Sequence, residues 1–97
     1  MVSGGGNGSG IDITESSVYP NPAYDEITVR FESNAETFGR LNVTNSIGQN
    51  VFNQDINVLN GENKYLINTD RFSNGIYFIK VNVSNEIERT IRFVKTN

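Results

Sequence analysis

The 97-residue chain contains no cysteine, no histidine and no tryptophan, and only two prolines. Without cysteine there is no disulfide, no thiol chemistry and no zinc–thiolate site, and the redox compartment stays open. Without histidine the chain lacks the usual acid–base group of neutral pH and the commonest metal ligand. Apolar runs are short: nothing approaches the ~20 residues that span a bilayer. No basic-then-apolar secretion signal opens the chain, so an exported form would draw that signal from a larger parent. Positive charge is scarce too. Eight Lys and Arg against eleven Asp and Glu leave a net charge of −3, where nucleic-acid binding asks for a basic stripe.

The carboxylates that remain form no catalytic pattern. Asp25 and Glu26 are adjacent, and neighbours on a strand point to opposite faces and cannot share a proton. Asp55, Asp70 and Asn74 could offer oxygens to calcium, but no dense alternating Asp run exists and turn capping accounts for them. The glycines from Gly4 to Gly10 precede no strand-to-helix turn, so they make no nucleotide loop. The sequence therefore predicts a non-enzyme with no catalytic, cofactor-binding or metal-binding residue and no small-molecule or nucleic-acid partner.

Ninety-seven residues with 36% hydrophobic content suit one thin two-layer domain, burying roughly 60–65% of its unfolded surface. Residues 1–10 stand apart: they hold five of the nine glycines and read as a flexible Gly/Ser-rich segment. That segment is a linker from a preceding protein or an added leader, and composition favours the leader. Residues 11–97 are the domain.

Period-two alternation predicts strands over 13–19, 26–31, 39–44, 50–56, 63–68, 75–83 and 86–95, with no helical stripe. Ser33-Asn34-Ala35, Ser46-Ile47-Gly48, Asn60-Gly61 and Ser84-Asn85 supply turn chemistry between them. Seven short strands at this spacing predict an all-β, immunoglobulin-like antiparallel sandwich. The expected inward set is Val29, Phe31, Leu41, Val43, Val51, Ile67, Phe72, Tyr77, Ile79, Val81, Ile91 and Phe93. Ile76 and Phe78 then fall on the opposite face, as a local cross-strand cluster or a docking surface.

The segment from Ile67 to Val81 reads as a strand leaving one sheet and returning in the other. Phe72 precedes a turn at Gly75, where positive φ suits glycine, and Tyr77 turns inward. This resembles a tyrosine corner, whose hydroxyl bonds back to backbone at the bend, here expected near Asp70 to Phe72. Both prolines fall in Tyr19-Pro20-Asn21-Pro22, an extended edge segment running into a turn. The last strand ends Arg92-Phe93-Val94-Lys95, with Arg92 and Lys95 read as exposed strand-end charges.

Taken in order, the Tyr-Pro-Asn-Pro opening, the Ile47-Gly48-Gln49 turn, the Phe72–Gly75–Tyr77 corner and the Phe93-Val94-Lys95 terminus resemble one family. It is the C-terminal sorting domain of the type IX secretion system (Por secretion system), in its type A form. The resemblance runs from Val18 to Lys95, and Phe72 departs from it, standing where the family usually has Leu. It implies a domain fused behind a cargo protein, exported through the periplasm and outer membrane to the cell surface or medium. A translocon and a sortase-like peptidase are the implied partners. The peptidase would cut upstream of Val18, in or before Ser9 to Ser17, often to attach the cargo to lipopolysaccharide. The resemblance assigns recognition to Arg92, Phe93, Val94 and Lys95. Residues 92–97 are expected to be needed for export but only partly for folding, so that a chain without them still unfolds cooperatively at reduced stability. Its structural motif residues are Pro20, Asn21, Pro22, Gly48, Phe72, Gly75 and Tyr77. The rival reading is an accessory binding or adhesion sandwich, fibronectin-III-like or carbohydrate-binding, of an extracellular protein. A sugar platform would want coplanar Trp and Tyr; there is no Trp, and Tyr19, Tyr24, Tyr65 and Tyr77 are dispersed.

Overall fold

A computed structural model describes residues 10–97, so nearly all of the glycine-rich segment lies outside the described residues. Seven strands follow one another: β1 Ile13–Tyr19, β2 Glu26–Ser33, β3 Thr37–Asn45, β4 Asn50–Val58, β5 Gly61–Asn68, β6 Gly75–Val83 and β7 Ile87–Lys95. They match the expected strands, with bounds that differ by at most two residues at an end. Two antiparallel sheets result, one in the order β1-β2-β5 and one in the order β4-β3-β6-β7. This is the expected immunoglobulin-like sandwich. Relative to the constant-type arrangement, the fourth strand pairs beside β3 rather than on the sheet of β1 and β2.

Alternation explains why these segments pair as they do. In β2 every second residue from Ile27 to Ser33 is buried, and in β6 the same holds from Tyr77 to Val83. A one-residue slip of either strand would turn its whole apolar set to water, which fixes the register. Between the sheets Phe31, Phe93, Ile13, Ile27, Leu41, Ile67 and Ile79 are fully buried. Each such side chain contributes roughly 1.5–3 kcal/mol on leaving water. The β6–β7 hairpin turns through Ser84 and Asn85, with φ of 58° and 57°. Paired left-handed residues match the right-handed twist of the flanking strands.

Three expected core residues are placed differently. Val51 is 40% exposed, because the β3–β4 register shifts between Val43 and Thr44. Phe52 sits opposite Val43 and Asn50 opposite Thr44, leaving Val51 as the unpaired residue of a bulge. Phe72 lies in the crossing between β5 and β6 and is only half-buried. Ile91 is half-buried as well, since β7 is an edge strand. The core also takes in Val18, Ala23, Ile56, Val58 and Val83.

Polar groups hold the sheet-to-sheet connections. Buried Asn63 accepts a hydrogen bond from the Leu59 N–H at 2.8 Å and donates to the carbonyls of Leu59 and Gly61. The Tyr65 hydroxyl lies 2.6 Å from the Asn57 carbonyl oxygen and 2.9 Å from Asn63 Oδ1. Its ring stacks on Phe31, and burial raises the phenol pKa. Gly39 serves a different need: a Cβ there would stand 2.5 Å from the Asn82 carbonyl oxygen.

Candidate functional site

Antiparallel pairing brings the ends of β1, β3, β5 and β7 to the same end of the sandwich as the starts of β2, β4 and β6. All the motif segments therefore meet there: residues 20–25, the 46–49 turn, the 69–74 crossing and the last residues of β7. Sequence separation of more than seventy residues disappears at this end.

The proline segment is clamped to the terminal strand. The Ala23 N–H donates to the Val94 carbonyl at 2.6 Å, and the Thr96 N–H donates to the Ala23 carbonyl at 2.9 Å. Asn21 Oδ1 accepts from the Val94 N–H at 3.0 Å. Ala23 is fully buried and forms a parallel bridge with Lys95. Pro20 and Pro22 have no N–H to offer, so Asn21 and Ala23 make the contacts. Both prolines follow cis peptide bonds. The expected edge segment running into a turn is held on β7 as a clamp by these hydrogen bonds.

The crossing from β5 to β6 joins the same assembly. Thr69, fully buried, donates its hydroxyl to the Tyr24 carbonyl at 2.8 Å and its N–H to the Asp25 carbonyl at 2.8 Å. Gly75 has φ of 149°, in the range that favours glycine. Tyr77 is 5% exposed, and its hydroxyl donates to the Ser73 carbonyl at 2.6 Å, one residue beyond the expected acceptors. Its ring lies between Phe72 and Phe93, with centroid distances of 5.1 and 5.5 Å.

In the β3–β4 turn Gly48 has φ of 87°. Asn45 Oδ1 accepts from the N–H groups of Ile47 and Gln49, and its amide donates to Gln49 Oε1. That network leaves the Ile47 side chain 77% exposed at the tip.

The four terminal residues divide by strand parity. Phe93 and Lys95 point inward, and Arg92 and Val94 point out from the other face. Lys95 is 2% exposed, and its ammonium donates to Asn97 Oδ1 at 2.9 Å. This corrects the expectation of an exposed strand-end charge: residues two apart on a strand share a face, and Lys95 follows Phe93. Arg92 is exposed and has no ion pair among the described residues. Residues 92–97, expected to be needed only partly for folding, contribute more than the end of one strand. They include fully buried Phe93 and every β7 group the clamp holds.

Elsewhere several charges pair at the surface. Arg30 meets Glu62 at 2.6 Å and Glu32 at 2.9 Å, which raises its pKa and lowers that of Glu62. Arg40 meets Asp55 at 2.8 Å, and Lys80 meets Glu88 at 3.5 Å. Asp55 lies on β4 and Asp70 in the crossing, and among the described residues they belong to no cluster of three or more potential metal ligands. Sequence reasoning missed Ala23 and Thr69. A small apolar residue after prolines and a lone threonine after a strand carry no periodic signal.

A family model described as secretion system C-terminal sorting domain matches residues 17–96. No curated protein matches the chain.

Proposed function

Because the chain belongs to the type IX secretion C-terminal sorting domain family, we propose that it acts as the address of a cargo fused ahead of it. The family is one of sorting signals, which implies recognition by the type IX system and export to the cell surface or extracellular space. In our reading the cargo passes the periplasm, the translocon engages the folded domain, and a sortase-like peptidase removes the domain. The domain itself catalyses nothing and holds no cofactor. The observation that carries this is the family match, which spans all four motif segments.

The division of labour follows from side-chain direction. Phe93 and Lys95 hold the terminal strand to the core, while Arg92 and Val94 present the surface to be read. Asn21, set between Pro20 and Pro22, and Ala23 keep that strand end in place. The domain begins at about residue 11, since Asn34 bonds both the Gly10 carbonyl and the Asp12 N–H. The cut falls before Ile13. A peptidase needs unpaired extended chain, and Ile13–Tyr19 is paired to β2 apart from the bulge between Thr14 and Ser17.

A fluorescent cargo with and without this domain, expressed in a host with type IX machinery, tests the proposal. The fused cargo should reach the surface or medium, and the bare cargo should stay in the periplasm. Equal retention of both, with the domain folded, would remove the sorting reading and favour an accessory binding module.

A further inference from the structure

At the motif end, the outer face of the four-stranded sheet carries an apolar patch that the core does not use. Ile76 pairs with Val94 and Phe78 with Arg92 in the β6–β7 register, so all four side chains share that face. Ile76 is 38% exposed, and Phe78 and Val94 are half-buried. Ile47 reaches the same area from the β3–β4 turn. Together with Asn45, Ser73, Asn74 and Ile76 it lines a recess of about 180 Å³. Small-molecule pockets run to about 300–1,000 Å³, so the recess suits one inserted side chain of a protein better than a ligand.

Three features set Ile47 apart from an incidental exposed residue. It is the most exposed large apolar side chain among the described residues. Its turn is fixed by three Asn45 hydrogen bonds, so ordering it on binding costs little. It also stands beside the patch that carries Arg92, which, like Lys64 and Arg71, forms no salt bridge with a carboxylate among the described residues.

Position adds to this. The cargo joins at Gly10 to Asp12, beside Asn34 at the other end of the sandwich. β6 alone runs nine residues between the two ends, about 30 Å at 3.3 Å per residue. The patch lies at the opposite end of the sandwich from the point where a cargo fused ahead would join.

We propose that Ile47, Ile76, Phe78 and Val94, framed by Arg92, form the docking surface for a protein of the export machinery. The partner surface would insert an apolar side chain beside Ile47 and set a carboxylate against Arg92. This rests on the sorting reading and extends it: the signal is a composite of two strands and a turn, so only the folded domain carries it.

The test uses the fluorescent cargo fusion in a type IX host, with melting curves of each purified chain to establish folding. Ile47→Ser and Ile76→Thr should lower surface export by about fivefold or more, as truncating a central interface anchor does. Ile47→Leu and Arg92→Lys should export like the wild type, and Arg92→Glu should not. Leu66→Ser, which removes another well-exposed apolar residue from the opposite sheet, is the control and should export normally. Normal export of Ile47→Ser, or an equal loss with Leu66→Ser, would overturn the docking surface while leaving the sorting function intact. A wild-type fusion that stays inside would sink the sorting function itself, and the docking surface with it.

Discussion

Replacing Tyr77 by Phe removes one oxygen and leaves the aromatic stack in place. The hydroxyl donates to the Ser73 carbonyl at 2.6 Å, and a net intramolecular hydrogen bond contributes about 0.5–1.5 kcal/mol. Ser73 is exposed, so water can reach its carbonyl in the variant and the loss should stay within that range. Replacing Tyr77 by Ala removes the ring between Phe72 and Phe93 as well. Truncating a large buried aromatic costs about 3–5 kcal/mol, against a total stability of about 5–15 kcal/mol for such a domain. Each kcal/mol lowers the melting temperature by about 4–8 °C at this size. Tyr77→Phe should therefore melt roughly 2–12 °C below wild type, and Tyr77→Ala roughly 12–40 °C below it. Urea titration followed by circular dichroism measures both, and the m-value should be unchanged for Tyr77→Phe. If Tyr77→Phe matched wild type, the hydroxyl would contribute nothing to the bend. The corner would then be held by ring packing alone.

Gly39→Ala should destabilise by about 1–3 kcal/mol through overpacking, since its Cβ would meet the Asn82 carbonyl oxygen at 2.5 Å; chemical denaturation checks it. Lys95→Ala should cost about 1–3 kcal/mol, because a buried methylene contributes about 0.8 kcal/mol, and Lys95→Met should recover most of it by keeping the stem. Equal stability of Lys95→Ala and wild type would show that the side chain is not packed. Glu62, held below its ordinary value of 4.5 by the Arg30 hydrogen bond, contributes stability that is present above that value. The contribution is lost as pH falls through the lower folded value. The stability gap between wild type and Glu62→Gln should therefore close on acidification, and a gap that widens would reverse the assignment.

The sandwich was legible because strand period and turn chemistry are local properties. Ile27, Val29 and Phe31 alternate with polar residues, and Ser84-Asn85 carries its own hairpin turn, so both were readable before any contact was known. Tyr77 was readable for the same reason: the spacing from Phe72 through Gly75 puts a tyrosine inward at a sheet crossing. The family could be identified because its motifs occur in a fixed order along the chain. Bulges and edges were not legible. Val51 turns outward because one strand of a pair carries an extra residue, and that depends on both strands. Lys95 was read as a surface charge because its residue type suggests one, yet strand parity with Phe93 and the cover of Ala23 draw its stem inside. The clamp of Asn21 and Ala23 on Val94 and Thr96 was invisible, since backbone hydrogen bonds between distant segments leave no mark on either sequence. Local preference thus determined the strands, the turns and the kind of domain. Only the packing of one sheet on the other decided that its four motifs meet at a single end.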